Sequence, residues 1–260
     1  MIWIHMMAWS GEYSFVIRNL ILKDFRIRYR NMSLGVFWSL LNPLVMMGVL
    51  TFVFTRILPS AVENFPLFVL CGIVPFNFFT TAWISGTTSL IDNAGLVKRV
   101  PFPREIIPLA SVLSNTLHLL IQIGLLLTLA LYYGKGVSIH WLWLPLVWIL
   151  EVVLVCGLAL IFSGLNVYTR DIRYVVESAS TVLFWLVPIF YAFPPSSVRF
   201  VAIYNYNPLA AVVFALRDIL MQGAAPPASL LWRLAASSTF TLLLGLFIFG
   251  RLKRGFYNYL

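Results

Sequence analysis

Residues 165–191, LNVYTRDIRYVVESASTVLFWLVPIFY, place three charged side chains between two strongly apolar runs. The first run ends at Val167, and Arg170, Asp171 and Arg173 follow within a few residues. The second run then continues to the end of the stretch. Two apolar runs joined by a short, basic turn are typical of two membrane spans that meet at one face of a bilayer.

The composition of the whole 260-residue chain agrees with a membrane protein. Hydrophobic residues make up 61% of the chain and charged residues only 10%, whereas soluble domains carry about 25% charged residues. The mean hydropathy is +0.91. A soluble domain of this length could not bury so much apolar surface, so we predict an all-α integral membrane protein.

The apolar runs predict six membrane spans, of which five are long and one is short. A helix needs about 20 mostly apolar residues to cross the hydrocarbon core. The runs lie at residues 34–58, 65–91, 106–133, 141–167, 175–191 and 230–250, and the fifth is the short one. Prolines and asparagines interrupt residues 193–222, so we expect short re-entrant or outer-face helices there and no seventh span.

The distribution of lysine and arginine predicts the orientation of the spans. Short cytoplasmic loops are enriched in these residues. Thirteen of the 18 lie on the face that carries both termini and the loops after spans two and four, and five lie on the other face. Two cytoplasmic termini require an even number of spans, which agrees with six. We therefore predict a multi-pass protein of the cytoplasmic (inner) membrane with both termini in the cytoplasm.

The sequence lacks the motifs of a catalytic or nucleotide-binding chain. It contains no GxxxxGK[ST] stretch, which forms the phosphate-binding loop of many ATPases. Its three histidines are scattered and show no metal-ligand spacing. We therefore expect a conduit or scaffold with no catalytic residue, no metal site and no cofactor of its own.

Four stretches, in order along nearly the whole chain, resemble the ABC-2 type permeases that export polysaccharides. They are RYRNMSLGVFWSLLNPL (28–44), DNAGLVKRVPFPREIIPLA (92–110), LNVYTRDIRY followed by FWLVPIFY (165–174 and 184–191), and YNPL (206–209). Such permeases are the membrane subunits of O-antigen, capsular polysaccharide and teichoic acid exporters. The resemblance places residues 1–260 in a single transmembrane domain, with the six-span bundle at 34–250.

The resemblance also implies partners. It implies a homodimer of this chain with two copies of a separate ABC ATP-binding subunit, which would hold ATP and Mg²⁺. A lipid-linked glycan would pass through a continuous channel along the dimer, in contact with membrane lipid. Periplasmic or outer-membrane export components would be further partners, and no nucleic acid is expected.

The resemblance implies a role for the basic N-terminal segment. Residues 12–32 would form an interfacial helix that gates the entrance for the substrate. Its basic residues are Lys23, Arg26, Arg28 and Arg30. The residues alone are equally consistent with a helix that simply lies on the anionic inner leaflet, where each basic residue contributes about 1 kcal/mol. The two interpretations are compatible.

The resemblance implies a second role, coupling to the ATPase, for residues 92–105 and for the RDIR turn. A short helix near residues 93–99 would dock on the ATP-binding subunit, and residues 193–222 would form gate helices at the outer face. The charge rule alone also accounts for both basic loops. Asp171 is placed to cap the N-terminus of the fifth span. The coupling candidates are Asn93, Leu96, Val97, Lys98, Arg99, Arg104, Arg170 and Asp171.

Glu151 lies about ten residues into the fourth span, near the middle of the bilayer. A charge there costs about 2.5–3.5 kcal/mol. We expect Glu151 to meet His118 or Gln122 of the third span, or to pack inside the bundle as a neutral, hydrogen-bonded acid. Aromatic side chains would guide a glycan by stacking on sugar rings. The candidate channel-lining residues are Phe76, Phe79, Trp83, Glu151 and Trp185.

Two alternatives stay open at this point. The chain could be an ABC-2 permease for another cargo, such as a lipid, a drug or a haem-related compound. It could also be a channel or a membrane-embedded transferase outside the ABC class. A channel would need a polar stripe, and a transferase would need an interfacial acid–base cluster.

Overall fold

A computed structural model describes residues 11–30, 35, 37–58, 62–99, 102–133, 136–192 and 206–259. Within these ranges the chain is helical and contains no strand. The described residues form nine α-helices: α1 (Gly11–Tyr29), α2 (Phe37–Phe52), α3 (Phe65–Asp92), α4 (Ala94–Arg99), α5 (Ile106–Tyr132), α6 (Leu144–Tyr168), α7 (Ile172–Leu186), α8 (Pro208–Arg217) and α9 (Ala228–Leu252).

Five helical stretches are long and apolar enough to cross a membrane, which confirms the all-α membrane fold. π-Helical or 3₁₀ turns extend three of them beyond their α-helical limits. The five stretches are Phe37–Ile57, Phe65–Asp92, Ile106–Tyr132, Ile139–Tyr168 and Ala228–Phe256. Each one overlaps a predicted span.

The short fifth span corresponds to α7, which has 15 residues. At 1.5 Å per residue this helix is about 22 Å long, against about 30 Å for the hydrocarbon core. The backbone leaves the helix at Val187, ahead of Pro188, and the next residues are not helical. The count of six spans therefore stays a prediction.

The bundle is built around α3. This helix packs against α5 and α6, and α6 packs in turn against α9. Glycines allow the closest approach, because a Cβ atom built on Gly157 of α6 would lie 2.5 Å from the backbone of Thr241 in α9. Small residues at such crossings are typical of helices that pack within a membrane.

A second, smaller apolar core lies at the predicted cytoplasmic end of the bundle. It joins five longer helices to the short helix α4. Its members are Leu20, Leu90, Val97, Ile106, Ile107, Ala110, Leu160, Val167, Phe249 and Phe256. Since α1 and α4 share this core, their positions are linked by packing.

Residues 206–222 contain the described part of the predicted outer-face helices, and residues 193–205 lie outside the described residues. Asn207 begins α8 by accepting a hydrogen bond from the Leu209 amide at 3.0 Å. A π-helical turn, Asp218–Gln222, continues α8. Most side chains of α8 are buried. The helix predicted for this segment is present, while its relation to the membrane stays a prediction.

Arg217, which the charge rule counted on the outer face, is buried at the end of α8. Its guanidinium donates to the carbonyls of Pro188 at 2.6 Å and Ile189 at 2.8 Å, and it lies 3.4 Å from the ring centroid of Phe68. Burial lowers the pKa of Arg217 to about 10, so the group stays charged at neutral pH. It holds the backbone beyond α7 against α3.

Candidate functional site

The loop between α3 and α5 contains the helix that the sequence predicts there. Lys98 and Arg99 of α4 are exposed, Leu96 is half-buried, and Val97 points into the smaller core. One face of α4 is therefore anchored, and its basic end is free to meet another protein. Whether that protein is an ATPase stays a prediction at this point.

Asn93 joins this loop to α1. Its side-chain oxygen accepts a hydrogen bond from Lys23 Nζ at 2.6 Å, and its amide donates to the Ser89 carbonyl at 2.8 Å. Lys23 lies on the helix expected to gate the entrance. The structure thus brings two predicted groups of functional residues, the coupling loop and the basic helix, into direct contact.

The remaining coupling candidates lie on the same end of the bundle. Arg104 donates to the Lys253 carbonyl at 3.0 Å, so it fastens the loop to the end of α9. Arg170 and Asp171 are exposed in the turn between α6 and α7. Asp171 occupies the N-cap position of α7, as expected, but its side chain makes no capping hydrogen bond.

The described basic side chains of the N-terminal helix are exposed, and Lys23 also contacts the bundle through Asn93. Lys23, Arg26 and Arg30 are exposed, and the side chain of Arg28 lies outside the described residues. The opposite side of α1 packs on α5. This division is expected of a helix that has a protein on one side and a lipid or aqueous surface on the other.

His118 and Gln122 bind other partners than the one predicted from the sequence. Tyr29 of α1 hydrogen-bonds both Nδ1 of His118 and the hydroxyl of Ser39. Gln122 donates to the Ser39 carbonyl at 3.1 Å. The predicted pairing with Glu151 is wrong, because these two side chains face α1 and α2, whereas Glu151 lies on α6.

Glu151 is fully buried, and neither carboxylate oxygen has a hydrogen-bond partner among the described residues. The alternative expectation, a neutral glutamic acid that is hydrogen-bonded inside the bundle, therefore also finds no partner within the described residues.

A polar cavity of about 390 Å³ lies beneath α1, between α3 and α5. The residues at its predicted cytoplasmic mouth are charged, and those farther in carry hydroxyl or amide groups. Its lining consists of Lys23, Asp24, Ile27, Ser85, Ser89, Asp92, Asn93, Ser111, Ser114 and Asn115. The basic helix thus covers an opening into the bundle.

A second cavity of about 160 Å³ lies deeper, where α2 meets α3 and α5. Its lining combines amide and hydroxyl groups with one histidine and a few apolar side chains. The residues are Trp38, Ser39, Asn42, Asn77, Phe78, Thr81, Asn115, His118, Leu119 and Gln122. Neither cavity was expected from the sequence, although polar residues recur at every third or fourth position of spans two and three and would share one face of each helix.

The channel-lining candidates are mostly inside the bundle of a single chain. Phe76, Phe79 and Trp83 are at most 7% exposed. Trp83 stacks edge-on against Phe162 with ring centroids 5.1 Å apart. Only Trp185, at 64%, is exposed. A role as channel lining stays a prediction, and for the buried members it requires the helices to part.

The geometry defines a class: a multi-span helical membrane protein whose polar cavities open beside a basic helix and the anchored loop between α3 and α5. The sequence matches the ABC-2 type transporter family over residues 16–221, and the chain belongs to that family. This confirms the resemblance seen in its motifs.

Curated relatives agree with this assignment. The chain is 34% identical to the O-antigen export system permease protein RfbA of Klebsiella pneumoniae, over 77% of this chain and 78% of the relative. It is 27% identical to the RfbA protein of Myxococcus xanthus, over 89% and 90% of the two chains. It is also 27% identical to the polysialic acid transport protein KpsM of Escherichia coli, over 90% and 92%.

Proposed function

We propose that this chain is the permease subunit of an ATP-driven exporter that moves a lipid-linked polysaccharide across the cytoplasmic membrane. A homodimer of the chain would form the channel. The relatives named for O-antigen export and polysialic acid transport support a polysaccharide cargo. The observation that carries the proposal is the polar cavity beneath the basic helix α1, which opens beside the coupling loop.

The energy would come from a separate ABC ATP-binding subunit, which would hold ATP and Mg²⁺ and would dock on α4. Lys98 and Arg99 are exposed for that contact. The Val97 side chain shares the smaller core with Leu20 of α1, and Lys23 is hydrogen-bonded to Asn93. A displacement of α4 by the ATPase would therefore reach α1 through the shared core and through this hydrogen bond.

This path gives α1 the role of a gate. When α4 moves, α1 would shift with it and uncover the polar cavity to a substrate at the inner leaflet. The orientation with both termini in the cytoplasm, six spans per chain and two ATPase copies belong to the same proposal. No residue of this chain is assigned a covalent step.

Co-purification and ATP hydrolysis test the proposal. The tagged chain would be purified in mild detergent from its native host, and we expect an ABC ATP-binding subunit at a ratio of about one to one. The double substitution Lys98→Glu/Arg99→Glu should lower recovery of that subunit and ATP hydrolysis. Arg254→Glu, an exposed basic residue beyond α9, is the matched control and should change neither.

A chain that is purified alone and shows no ATPase partner under these conditions would contradict the proposal. If the ATPase is recovered but the bound cargo is a lipid or a drug, the family assignment stands and the polysaccharide is wrong.

A further inference from the structure

The two polar cavities lie next to each other within a single chain and share one lining residue. Asn115 lines both of them. On α3 the lining runs from Asp92 at the mouth to Asn77, 15 residues away, which is about 22 Å along a helix. We call the lining of both cavities the polar track. The length of this lining is more than half the thickness of a hydrocarbon core, which is about 30 Å.

Most of the polar lining of the track lies on two neighbouring helices, as one polar stripe on each. Residues four apart lie on the same helical face, and both stripes follow that spacing closely. They are Asn77, Thr81, Ser85 and Ser89 on α3, and Ser111, Asn115, His118 and Gln122 on α5. The stripes face each other, since the Asn115 amide donates to Ser85 Oγ at 2.7 Å.

Two buried side-chain amides on the polar track each have an oxygen that accepts no hydrogen bond from a described residue. Asn115 is 3% exposed and Gln122 is 9% exposed. Their amide nitrogens donate to protein oxygens, but Oδ1 of Asn115 and Oε1 of Gln122 accept no hydrogen bond within the described residues. A buried amide oxygen without a donor is costly, so these two atoms favour a ligand that donates hydrogen bonds.

The chemistry of the deeper cavity narrows the class of ligand. Apart from His118 its polar lining is uncharged and consists of amides and hydroxyls, and Trp38 offers an aromatic face. Its 160 Å³ equals the liquid volume of about five water molecules. That is room for one sugar ring, whose hydroxyls can donate to the amide oxygens while its C–H face packs on an aromatic ring.

We propose that the polar track is a carbohydrate-binding site within each chain, where hydroxyl groups of uncharged sugar residues donate to Asn115 and Gln122. This inference rests on the proposed polysaccharide cargo. It assigns the first sugars of the substrate to a site between α2, α3 and α5, under the helix α1.

Photo-crosslinking in living cells tests the site. The photoreactive residue p-benzoylphenylalanine would replace Thr81, which lines the deeper cavity and is exposed. The matched placement is Leu120 of α5, which is 58% exposed and does not line the track. Cells that carry the native ATPase would be grown with tritiated glucose and irradiated. We expect roughly tenfold more tritiated polymer on the chain with the Thr81 replacement.

A second set of variants tests the two acceptors. In the Thr81 background, Asn115→Leu with Gln122→Leu should reduce the adduct roughly tenfold, because two hydrogen bonds are lost. Asn166→Leu is the control: Asn166 is 2% exposed and donates to the Thr87 carbonyl, but it lies off the track. This substitution should leave the adduct unchanged. Gln122→Asn keeps an amide acceptor and should retain more adduct than Gln122→Leu.

The outcomes separate this inference from the proposed function. Equal labelling at Thr81 and Leu120, or no polymer at Thr81 in cells that still export their polysaccharide, overturns the carbohydrate site and indicates a track that holds water only. That result leaves the exporter in place. If deleting the gene leaves surface polysaccharide unchanged, the proposed function itself fails.

Discussion

The second and first membrane helices have the same hydropathy but opposite environments. The most apolar stretch of each has a mean hydropathy of 1.8, yet 78% of that stretch is buried within the chain for α3 and 6% for Phe37–Ile57. Hydropathy therefore identifies a helix that can cross a membrane but does not distinguish a central helix from a peripheral one.

Small residues account for much of the difference. A Cβ atom on Gly86 of α3 would lie 2.6 Å from Cβ of Ala159 in α6, and one on Gly72 would lie 2.9 Å from Cα of Ile189. A Cβ atom on Gly48 of α2 would have no described atom within 4 Å apart from the backbone of its own helix. The close approach of neighbouring segments to its glycines makes α3 the central helix of the bundle. The apolar face of α2 is left for lipid or for a second copy of the chain.

The largest loss in the free energy of unfolding is expected from Arg217→Met. Carbonyl oxygens of Pro188 and Ile189 would lose their cationic donor, and hydrogen bonds to charged groups contribute about 1.5–3 kcal/mol each. We predict a loss of about 3 kcal/mol in the free energy of unfolding, measured by denaturation in detergent. Arg56→Met, at the exposed end of the first membrane helix, should change it by less than about 0.5 kcal/mol. Because Arg217 also packs on Phe68 of α3, equal losses would break the contrast between the buried surroundings of α3 and the exposed first membrane helix.

A side chain added at a glycine should destabilise α3 but not α2, and we expect this difference in the free energy of unfolding to be smaller than the one above. Gly86→Leu inserts a side chain where Ala159 already lies, and such insertions cost about 1–3 kcal/mol. Gly48→Leu adds a side chain in open space. It should be neutral or slightly stabilising, because leucine has a higher helix propensity than glycine. Both variants are compared by the same denaturation assay. A destabilised Gly48→Leu variant together with an unchanged Gly86→Leu variant would reverse the assignment of central and peripheral helix.

Cysteine crosslinking tests whether a second copy of the chain covers α2. A cysteine substitution on the exposed face of α2 should leave the free energy of unfolding nearly unchanged. Val49 of α2 is 52% exposed and Val69 of α3 is fully buried. In a homodimer that meets along α2, Val49→Cys should form a crosslinked dimer with copper phenanthroline in membranes, and Val69→Cys should not. The native Cys71 and Cys156 are buried and free, so they should contribute little background. A monomeric Val49→Cys product under these conditions would assign that face to lipid.

Much of the fold follows from the sequence because apolar length and charge are local properties. The bounds of the second and third spans differ by one residue from those of α3 and α5, and the short helix α4 lies within the residues predicted for it. The fifth span was drawn too far toward its C-terminus, since its apolar run continues past the point where the helix ends at Leu186.

The candidate site was less predictable because it depends on how each helix is rotated. Glu151 lies on a helix that is apolar on every side, so the sequence does not indicate which neighbour it faces. The contact between Tyr29 and His118, which joins α1 to α5, also depends on helix rotation and was not predicted. The polar stripes of α3 and α5 could have been found from their spacing alone, although not the cavities between them.

Deletion of the gene in the native host tests the central claim most directly. Surface polysaccharide and lipid-linked polymer inside the cell would be measured together in the deletion strain. The account predicts that surface polysaccharide is lost while the polymer accumulates inside, and that the wild-type chain restores export but the Lys98→Glu/Arg99→Glu chain does not. Unchanged surface polysaccharide with no polymer inside would contradict it.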